Sequence, residues 1–211
     1  ASEEVIDFID NDCDGVAEYP LEQADVLLQL DSKLKINSQL GGGDFNGDGF
    51  ADILVGHGNG AQVSLLYGPE IQSGLLSENR NVVFYGTDET DLSQYQMASL
   101  DNNTDGLDDV IFTYVSDTEM TTYIFEAPFA DEVYLGDEVA RIVTSNSNQQ
   151  MLHVGGDYNG DGFADLVIAD ETVNAIPLGS IGVQENVGQA AIFLTPIIGE
   201  RTMENADQHI V

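Results

Sequence analysis

Three short segments of the chain place oxygen-bearing side chains at alternate positions around a glycine. They read D-F-N-G-D-G-F-A-D at residues 44–52, D-N-N-T-D-G-L-D-D at residues 101–109 and D-Y-N-G-D-G-F-A-D at residues 157–165. With the first Asp counted as position 1, the oxygens at positions 1, 3 and 5 can converge in a tight loop, and glycine at position 6 permits the sharp turn. Such a donor set predicts a site for Ca²⁺, because Zn²⁺ and copper prefer nitrogen and sulfur ligands.

The predicted ligands are the side chains at positions 1, 3, 5 and 9 and the backbone carbonyl at position 7. They are Asp44, Asn46, Asp48, Phe50 and Asp52; Asp101, Asn103, Asp105, Leu107 and Asp109; and Asp157, Asn159, Asp161, Phe163 and Asp165. An EF-hand would carry a Glu at position 12, but that position is apolar in all three loops, so the loops are not EF-hands. The alternative is simple turn chemistry, but three copies in register, each acidic at position 9, favour the metal.

A fourth acidic segment lies near the N-terminus and reads D-N-D-C-D-G-V-A-E at residues 10–18. No apolar strand follows it, so it is not predicted to form a further blade. Two interpretations stay open, a fourth Ca²⁺ site and a flexible acidic lead-in. The candidate ligands are the side chains of Asp10, Asp12, Asp14 and Glu18 and the carbonyl of Val16.

The three loops belong to a longer internal repeat, since their first aspartates lie 57 and then 56 residues apart. An apolar run precedes each loop, another follows it at once, and an X-Pro landmark comes later. The runs are short and rich in Val, Ile, Phe and Tyr, which is typical of strands. A repeat of about 56 residues with about four short strands has the size of one propeller blade.

The sequence therefore predicts an all-β fold of about three four-stranded blades, as a partial or open propeller. Three blades are fewer than the roughly four to eight of a closed propeller, so the edges would remain open. An acidic N-terminal segment would precede the repeat region, and the last residues would start a further strand. The predicted boundaries are 1–21 for the acidic segment, 22–211 for the repeat region, 22–81, 82–139 and 140–208 for the blades, and 209–211 for the further strand.

The charge of the chain restricts its partners. It contains 38 acidic and 5 basic residues, for a formal net charge of -33. A nucleic-acid-binding protein must present cations to phosphates, so we expect no nucleic-acid partner. No apolar run approaches the roughly 20 residues that span a bilayer, so we expect no membrane span. Self-repulsion of this size destabilises a compact chain, and bound cations or a saline medium would offset it.

Two of the loops, with their flanking residues, resemble FG-GAP repeats, the blades of the integrin α-subunit β-propeller and of many secreted bacterial proteins. The resemblance rests on G-G-D-F-N-G-D-G-F-A-D-I-L-V-G at residues 42–56 and G-G-D-Y-N-G-D-G-F-A-D-L-V-I-A at residues 155–169. It covers about residues 22–211, and it implies Ca²⁺ in each loop and a role in adhesion or recognition. The chain departs from the family at Thr104, where position 4 is usually Gly, and in having about three blades instead of the usual seven.

The N-terminal segment has a resemblance of its own. Residues 9–15 read I-D-N-D-C-D-G and are similar to a metal-binding motif of bacterial surface proteins that often precedes FG-GAP arrays. That motif usually has a second Cys upstream, which this sequence lacks, so its disulfide form is not expected here.

Three functions are compatible with the sequence. The first is a secreted, extracellular or cell-surface module, loaded with Ca²⁺, that binds a protein or glycan. The second is a structural subunit that pairs with copies of itself through open blade edges to build a filament or scaffold. The third is a non-catalytic propeller beside a hydrolase. No Ser, His and Asp set shows nucleophile-elbow spacing, so we expect no enzyme activity.

Overall fold

A computed structural model gives the fold of the chain. The structure describes residues 26–29, 40–57, 62–86, 96–115, 119–145, 150–170 and 189–210. The acidic segment at residues 10–18 and its five candidate ligands therefore lie outside the described residues.

The described residues are mainly strands. In chain order these are β1 (Leu28–Gln29), β2 (Leu40–Gly43), β3 (Asp52–His57), β4 (Gln62–Leu66), β5 (Gly74–Leu75), β6 (Val82–Tyr85), β7 (Gln96–Leu100), β8 (Asp109–Val115), β9 (Glu119–Phe125), β10 (Glu132–Tyr134), β11 (Ala140–Ser145), β12 (Gln150–Val154), β13 (Leu166–Asp170), β14 (Gln189–Phe193), β15 (Gly199–Thr202) and β16 (Gln208–Ile210). A short helix α1 (Leu76–Asn79) follows β5, and a 3-10 turn, Met203–Asn205, follows β15. None of the described helices has the length and apolar character needed to span a membrane.

Three of the described sheets each contain a set of four antiparallel strands. The first set is β2, β3, β4 and β6, the second is β7, β8, β9 and β11, and the third is β12, β13, β14 and β16. The prediction of an all-β fold with about three four-stranded blades is confirmed.

Strand β8 shows why the apolar runs after the loops are continuous instead of alternating. Val110 and Phe112 are fully buried in the cluster between the first and second sheets. Ile111, between them in sequence, is fully buried in the cluster between the second and third sheets. Because successive side chains of a strand point to opposite faces, a sheet that is covered on both faces requires apolar residues at every position.

An aromatic cluster holds the first two sheets together. The Phe84 ring of β6 meets the Phe112 ring of β8 edge-on, with centroids 5.1 Å apart, and the Phe125 ring of β9 with centroids 5.7 Å apart. Phe129, after the second X-Pro pair, completes the group at 5.1 Å from Phe84. Edge-to-face pairs of this kind add to the stability that apolar burial already provides. The first two loops are thus attached to one rigid core.

Each repeat adds one strand to the sheet before it. Strand β10 pairs in parallel with β6, and β15 pairs in parallel with β11. Strand β5 pairs in the same way with β1. All three added strands follow an X-Pro pair with a cis peptide bond, and these pairs are Gly68-Pro69, Ala127-Pro128 and Thr195-Pro196. Consecutive repeats are therefore joined by backbone hydrogen bonds as well as by side-chain packing.

The sheets and the sequence repeats are offset by one strand. The apolar runs that open the second and third predicted blades, at Val82 and Ala140, form the outer strands β6 and β11 of the preceding sheets. Likewise β16 pairs with β14 and completes the third sheet, where the sequence predicted the start of a further blade at residues 209–211. The first sheet shows the reason, because its edge strand β2 reads L-G-G-G and is only weakly apolar. The more strongly apolar run before β2 therefore predicts the first strand of the blade.

Candidate metal centre

The three acidic loops occupy the same place in three sheets. Each connects an edge strand of a sheet to the strand beside it, namely β2 to β3, β7 to β8 and β12 to β13. These strand pairs are antiparallel, so each loop is a tight hairpin connection at the end of a buried strand. The three sets of predicted calcium ligands therefore lie at equivalent positions in the three sheets.

The aspartate at position 1 accepts hydrogen bonds from the backbone of its own loop. In the first loop, Asp44 Oδ1 accepts from the N–H groups of positions 4 and 5 at 2.8 and 3.1 Å, and Oδ2 accepts from position 6 at 2.9 Å. Asp157 makes the same three bonds at 2.6, 3.0 and 2.8 Å. Asp101 accepts from positions 5 and 6 at 3.1 and 2.9 Å. Each loop therefore folds around a carboxylate.

These backbone donors favour the ionised form of the acid at position 1. The pKa of Asp157 is lowered from its ordinary value, mainly by the N–H of Gly162 and also by the other backbone donors of the loop. A carboxylate that stays ionised is the form that binds a cation.

The side chains at positions 3 and 5 contact each other at the surface of the loop. Asn46 Oδ1 accepts from the Asp48 N–H at 2.9 Å, and Asn46 Nδ2 donates to Asp48 Oδ2 at 2.9 Å. Asp48 Oδ1 accepts from the Phe50 N–H at 2.8 Å. The other two loops repeat these three bonds at 2.7–3.0 Å. Positions 1, 3 and 5 are therefore brought together, and the rest of the loop holds them in place.

The backbone of the loops requires the left-handed region at positions 4 and 6. The φ angles at position 6 are 85°, 90° and 95° in the three loops, and all three residues are Gly. At position 4 they are 75° at Gly47, 62° at Thr104 and 83° at Gly160. Thr104 is, among the residues that the structure describes, the one non-glycine residue with a positive φ. The second loop therefore keeps the shape of the other two at the cost of local strain.

The acid at position 9 is fully buried, unlike the acids at positions 1 and 5. Asp52, Asp109 and Asp165 are 1%, 0% and 0% exposed. In each, Oδ2 accepts from the N–H of position 2, at 2.7, 2.8 and 2.8 Å. Oδ1 accepts from the N–H of the residue before the cis proline, at 2.9, 2.8 and 3.1 Å. The acid at position 9 thus ties the loop to the X-Pro segment of the same repeat.

Burial raises the pKa of these acids where a shift is resolved. The pKa of Asp109 rises to about 6, because removal from water penalises the charged form more than the N–H groups of Ala127 and Asn102 favour it. The charges of Glu126 and Asp105 raise it further. The pKa of Asp52 is raised for the same main reason, burial.

The described residues fit Ca²⁺ by donor type, although the four side chains of a loop do not converge. In the part of the chain that the structure describes, no three His, Cys, Asp or Glu side chains are gathered closely enough to hold a metal. The side chains at positions 3 and 5 contact each other and position 1 accepts the backbone N–H of position 5, whereas position 9 accepts the N–H groups of position 2 and of the X-Pro segment. All the donors are hard oxygens, and a carboxylate has about four lone-pair sites, so an oxygen that accepts an N–H can also bind a cation.

Two residues that the sequence did not single out also shape the site. Asn102, at position 2 of the second loop, is 0% exposed, and its side chain pairs with the backbone of Ile197 in the next repeat. Asp108, at position 8, accepts a hydrogen bond from Asp44 of the first loop at 2.8 Å. Asp108 could have been noticed in the sequence, because position 8 is acidic in the second loop and Ala in the other two. Asn102 carried no comparable signal, because its partner lies 95 residues away.

Comparison with known proteins places a family match on the first of the three loops. No curated protein and no solved structure matches the chain significantly. Residues 37–66 match the FG-GAP repeat, and this segment contains β2, the first acidic loop, β3 and β4.

Proposed function

We propose that the chain is an extracellular, calcium-binding module of β-propeller blades that recognises a protein or glycan ligand. The observation that supports calcium binding most directly is the repetition of one loop geometry in three sheets. Turn chemistry alone explains Asp at position 1 and Gly at position 6. It also permits Asp at position 5, whose carboxylate accepts the N–H of position 7, but it does not require that all three loops carry the same Asp, Asn and Asp at positions 1, 3 and 5.

Calcium would act first on stability. Each loop carries at least three acidic residues within nine positions, in a chain whose net charge is already -33. At a 100-fold excess over Kd, one bound ion adds about 2.7 kcal/mol to the free energy of unfolding. Three independent sites would add about 8 kcal/mol, which is comparable with the whole stability of a domain, about 5–15 kcal/mol.

The test is a calcium titration of chelator-treated protein by calorimetry, with a thermal melt at each end. We expect at least three binding events and a large rise in Tm. A triple variant that removes the acid at position 5, with Asp48, Asp105 and Asp161 changed to Ala, should lose both. The matched control changes three exposed acids outside the loops, Glu70, Asp131 and Glu204, to Ala. Absence of binding heat in the wild type would overturn the proposal.

The extracellular location and the recognition role are supported by the FG-GAP match at residues 37–66 and by the acidic composition. Extracellular calcium modules typically bind the ion with a Kd of about 0.1–1 mM, so loops of this kind would be filled outside cells and not in the cytosol. We propose no catalytic activity for the module. Surface labelling of intact source cells tests the location, and binding to panels of proteins and glycans, with calcium or with chelator, tests recognition. Binding that is equal in both conditions would contradict a role for calcium in recognition.

A second candidate is a structural subunit that assembles head to tail into a filament or scaffold. Strands β10 and β15 pair in parallel with β6 and β11 of the preceding sheets, and backbone pairing of this kind is the contact that a head-to-tail assembly would use. Tyr158, at position 2 of the third loop, is 45% exposed, whereas Phe45 and Asn102 at the same position are fully buried. Sedimentation velocity and electron microscopy in calcium separate the candidates, because polymers favour the second and monomers the first.

A further inference from the structure

We propose that the first and second loops bind Ca²⁺ cooperatively through Asp108, whereas the third loop binds independently. The inference rests on the proposed function, because it presupposes that the loops bind Ca²⁺. It adds a regulatory relationship between two sites, and it assigns a role to a residue outside the predicted ligand set.

Asp108 and Asp44 form a reciprocal pair between the two loops. The Asp44 N–H donates to Asp108 Oδ2 at 2.8 Å, and the Asp108 N–H donates to the Asp44 carbonyl oxygen at 3.0 Å. Asp44 is position 1 of the first loop, and Asp108 lies between the predicted ligands Leu107 and Asp109 of the second. The pair therefore connects a ligand residue of one loop to the chain between two ligands of the other.

Close packing reinforces this pair. A Cβ atom on Gly47, at position 4 of the first loop, would lie 2.7 Å from Leu107 Cδ2 of the second loop. A Cβ on Gly43, just before the first loop, would lie 2.8 Å from Asp108 Oδ2. The Ser99 hydroxyl of β7 also donates to the Gly42 carbonyl at 2.8 Å. The first loop is therefore in close contact with positions 7 and 8 of the second at Gly47 and Asp44, and this contact is the physical route for the proposed coupling.

The second and third loops are related differently. Position 8 of the third loop is Ala164, whose side chain has no oxygen to accept a hydrogen bond from the second loop. The second loop instead contacts the third repeat through Asn102, whose Oδ1 accepts from the Ile197 N–H at 2.8 Å. Ile197 belongs to the X-Pro segment and lies two residues after Thr195, whose N–H donates to Asp165, so the second loop reaches the third only indirectly. The first and second loops are thus joined directly by the hydrogen bond between Asp44 and Asp108. Between the second and third loops no equivalent bond can form at position 8, and Asn102 binds Ile197 instead.

The coupling follows from shared ordering. An ion in the first loop fixes Asp44, and the reciprocal pair then fixes Asp108 and the ligands on either side of it. A second ion meets a loop that is already ordered, so it loses less conformational entropy on binding and binds more tightly. Linkage requires the effect to be equal in both directions.

The position 6 amides report each loop separately. Gly49, Gly106 and Gly162 donate to the position 1 carboxylate of their own loops at 2.9, 2.9 and 2.8 Å. In an NMR titration with CaCl₂, the Gly49 and Gly106 signals should change together, with a Hill slope above one. The Gly162 signal should follow a separate, simple binding curve.

Variants of Asp108 separate the contact from the charge. Asp108→Ala should uncouple the two loops, so that each follows its own simple curve. Asp108→Asn keeps an oxygen that accepts the Asp44 N–H, so the paired transition should persist. Loss of pairing in both variants would assign the coupling to charge and overturn the contact proposed here.

A second set of variants leaves Asp108 in place and therefore decides the question if Asp108→Ala does not fold. Asp48→Ala removes a predicted ligand of the first loop, and it should weaken calcium binding at the second loop by about 5-fold or more. Asp161→Ala, the matched change in the third loop, should leave the first two unchanged. Independent binding by all three wild-type loops would overturn the coupling and leave the proposed function intact, whereas no response in any loop would overturn both.

Discussion

The backbone N–H of Ala127 donates a hydrogen bond to Asp109 Oδ1 at 2.8 Å, across 18 residues of chain. The other two repeats contain the equivalent bond at 2.9 and 3.1 Å. The acid at position 9 is therefore a buried connection between the loop and the X-Pro segment, whether or not it also binds a metal. This relationship makes the position testable in the absence of calcium.

Replacing Asp109 with Asn should destabilise the calcium-free protein by about 1–3 kcal/mol, because Asn has one acceptor oxygen for two backbone donors. Its NH₂ group would face the N–H of either Asn102 or Ala127. The measurement is urea denaturation in chelator. Asp131→Asn, which removes the same charge from an exposed side chain, is the control, and an equal effect of both changes would contradict the structural role.

The stability of the calcium-free protein should fall as the pH rises from about 4 to about 6. The native pKa of Asp109 is raised from 3.8 to about 6, so the native state binds this proton more tightly than the unfolded chain does. The contribution of the group is fully present below the unfolded pKa and is lost as the pH rises through the native pKa.

Urea denaturation across this pH range, in chelator and at high constant ionic strength, measures the effect. High salt screens the general repulsion of the acidic surface. The Asp109→Asn variant should show a smaller fall than the wild type. Parallel curves for the two proteins would show that Asp109 is not the group responsible.

Thr104→Gly should stabilise the protein by about 0.5–1 kcal/mol. Thr104 has a φ of 62°, and the strain of a β-branched residue in this region exceeds the entropy that Gly adds to the unfolded chain. The reverse change, Gly160→Thr, should destabilise by a similar amount, since a Cβ there meets nothing within 4 Å and only the backbone is strained. Thermal melts of both variants check the pair, and effects of the same sign would refute the strain argument.

Asn102→Ala should destabilise the protein by about 2–4 kcal/mol, because it leaves two buried backbone groups of Ile197 without partners. Asn102 Nδ2 donates to the Ile197 carbonyl at 3.0 Å, and Oδ1 accepts the Ile197 N–H at 2.8 Å. Asn81→Ala removes one exposed hydrogen bond, to Tyr67, and serves as the control. Chemical denaturation should rank the two variants clearly, and similar losses would argue against the buried bridge.

The sequence predicted the parts of the site that depend on local pattern. The loops around Asp44 and Asp157 could be located from the spacing of Asp, Asn and Gly, because these residue types satisfy the backbone within a few positions. The apolar run from Val110 to Phe112 predicted a buried strand, because a short continuous apolar run between turn residues is typical of one. Both features depend on neighbours in sequence.

The remaining features depend on partners that are distant in sequence. The role of Asp109 is set by Ala127, and that of Asn102 by Ile197, and no local pattern marks either pair. The Gly-rich strand β2 carries a weak apolar signal, yet it pairs fully with β3. The parallel strand β10 is short and could not be assigned to the preceding sheet without the three-dimensional structure. For the same reason the sequence boundaries were placed one strand away from the sheet boundaries.

The offset between repeats and sheets determines how such a gene can lengthen or shorten. Excision of residues 82–139 would join Asn81 directly to Ala140, so that β11 would follow β4 in the place of β6. Strand β15, which pairs with β11, would then occupy the place of β10. Strand β11 would keep its parallel neighbour after the deletion, and a tandem duplication of the same segment would preserve the pairs β6–β10 and β11–β15 in the same way. Recombination between repeats can therefore change the number of sheets while leaving each of them complete.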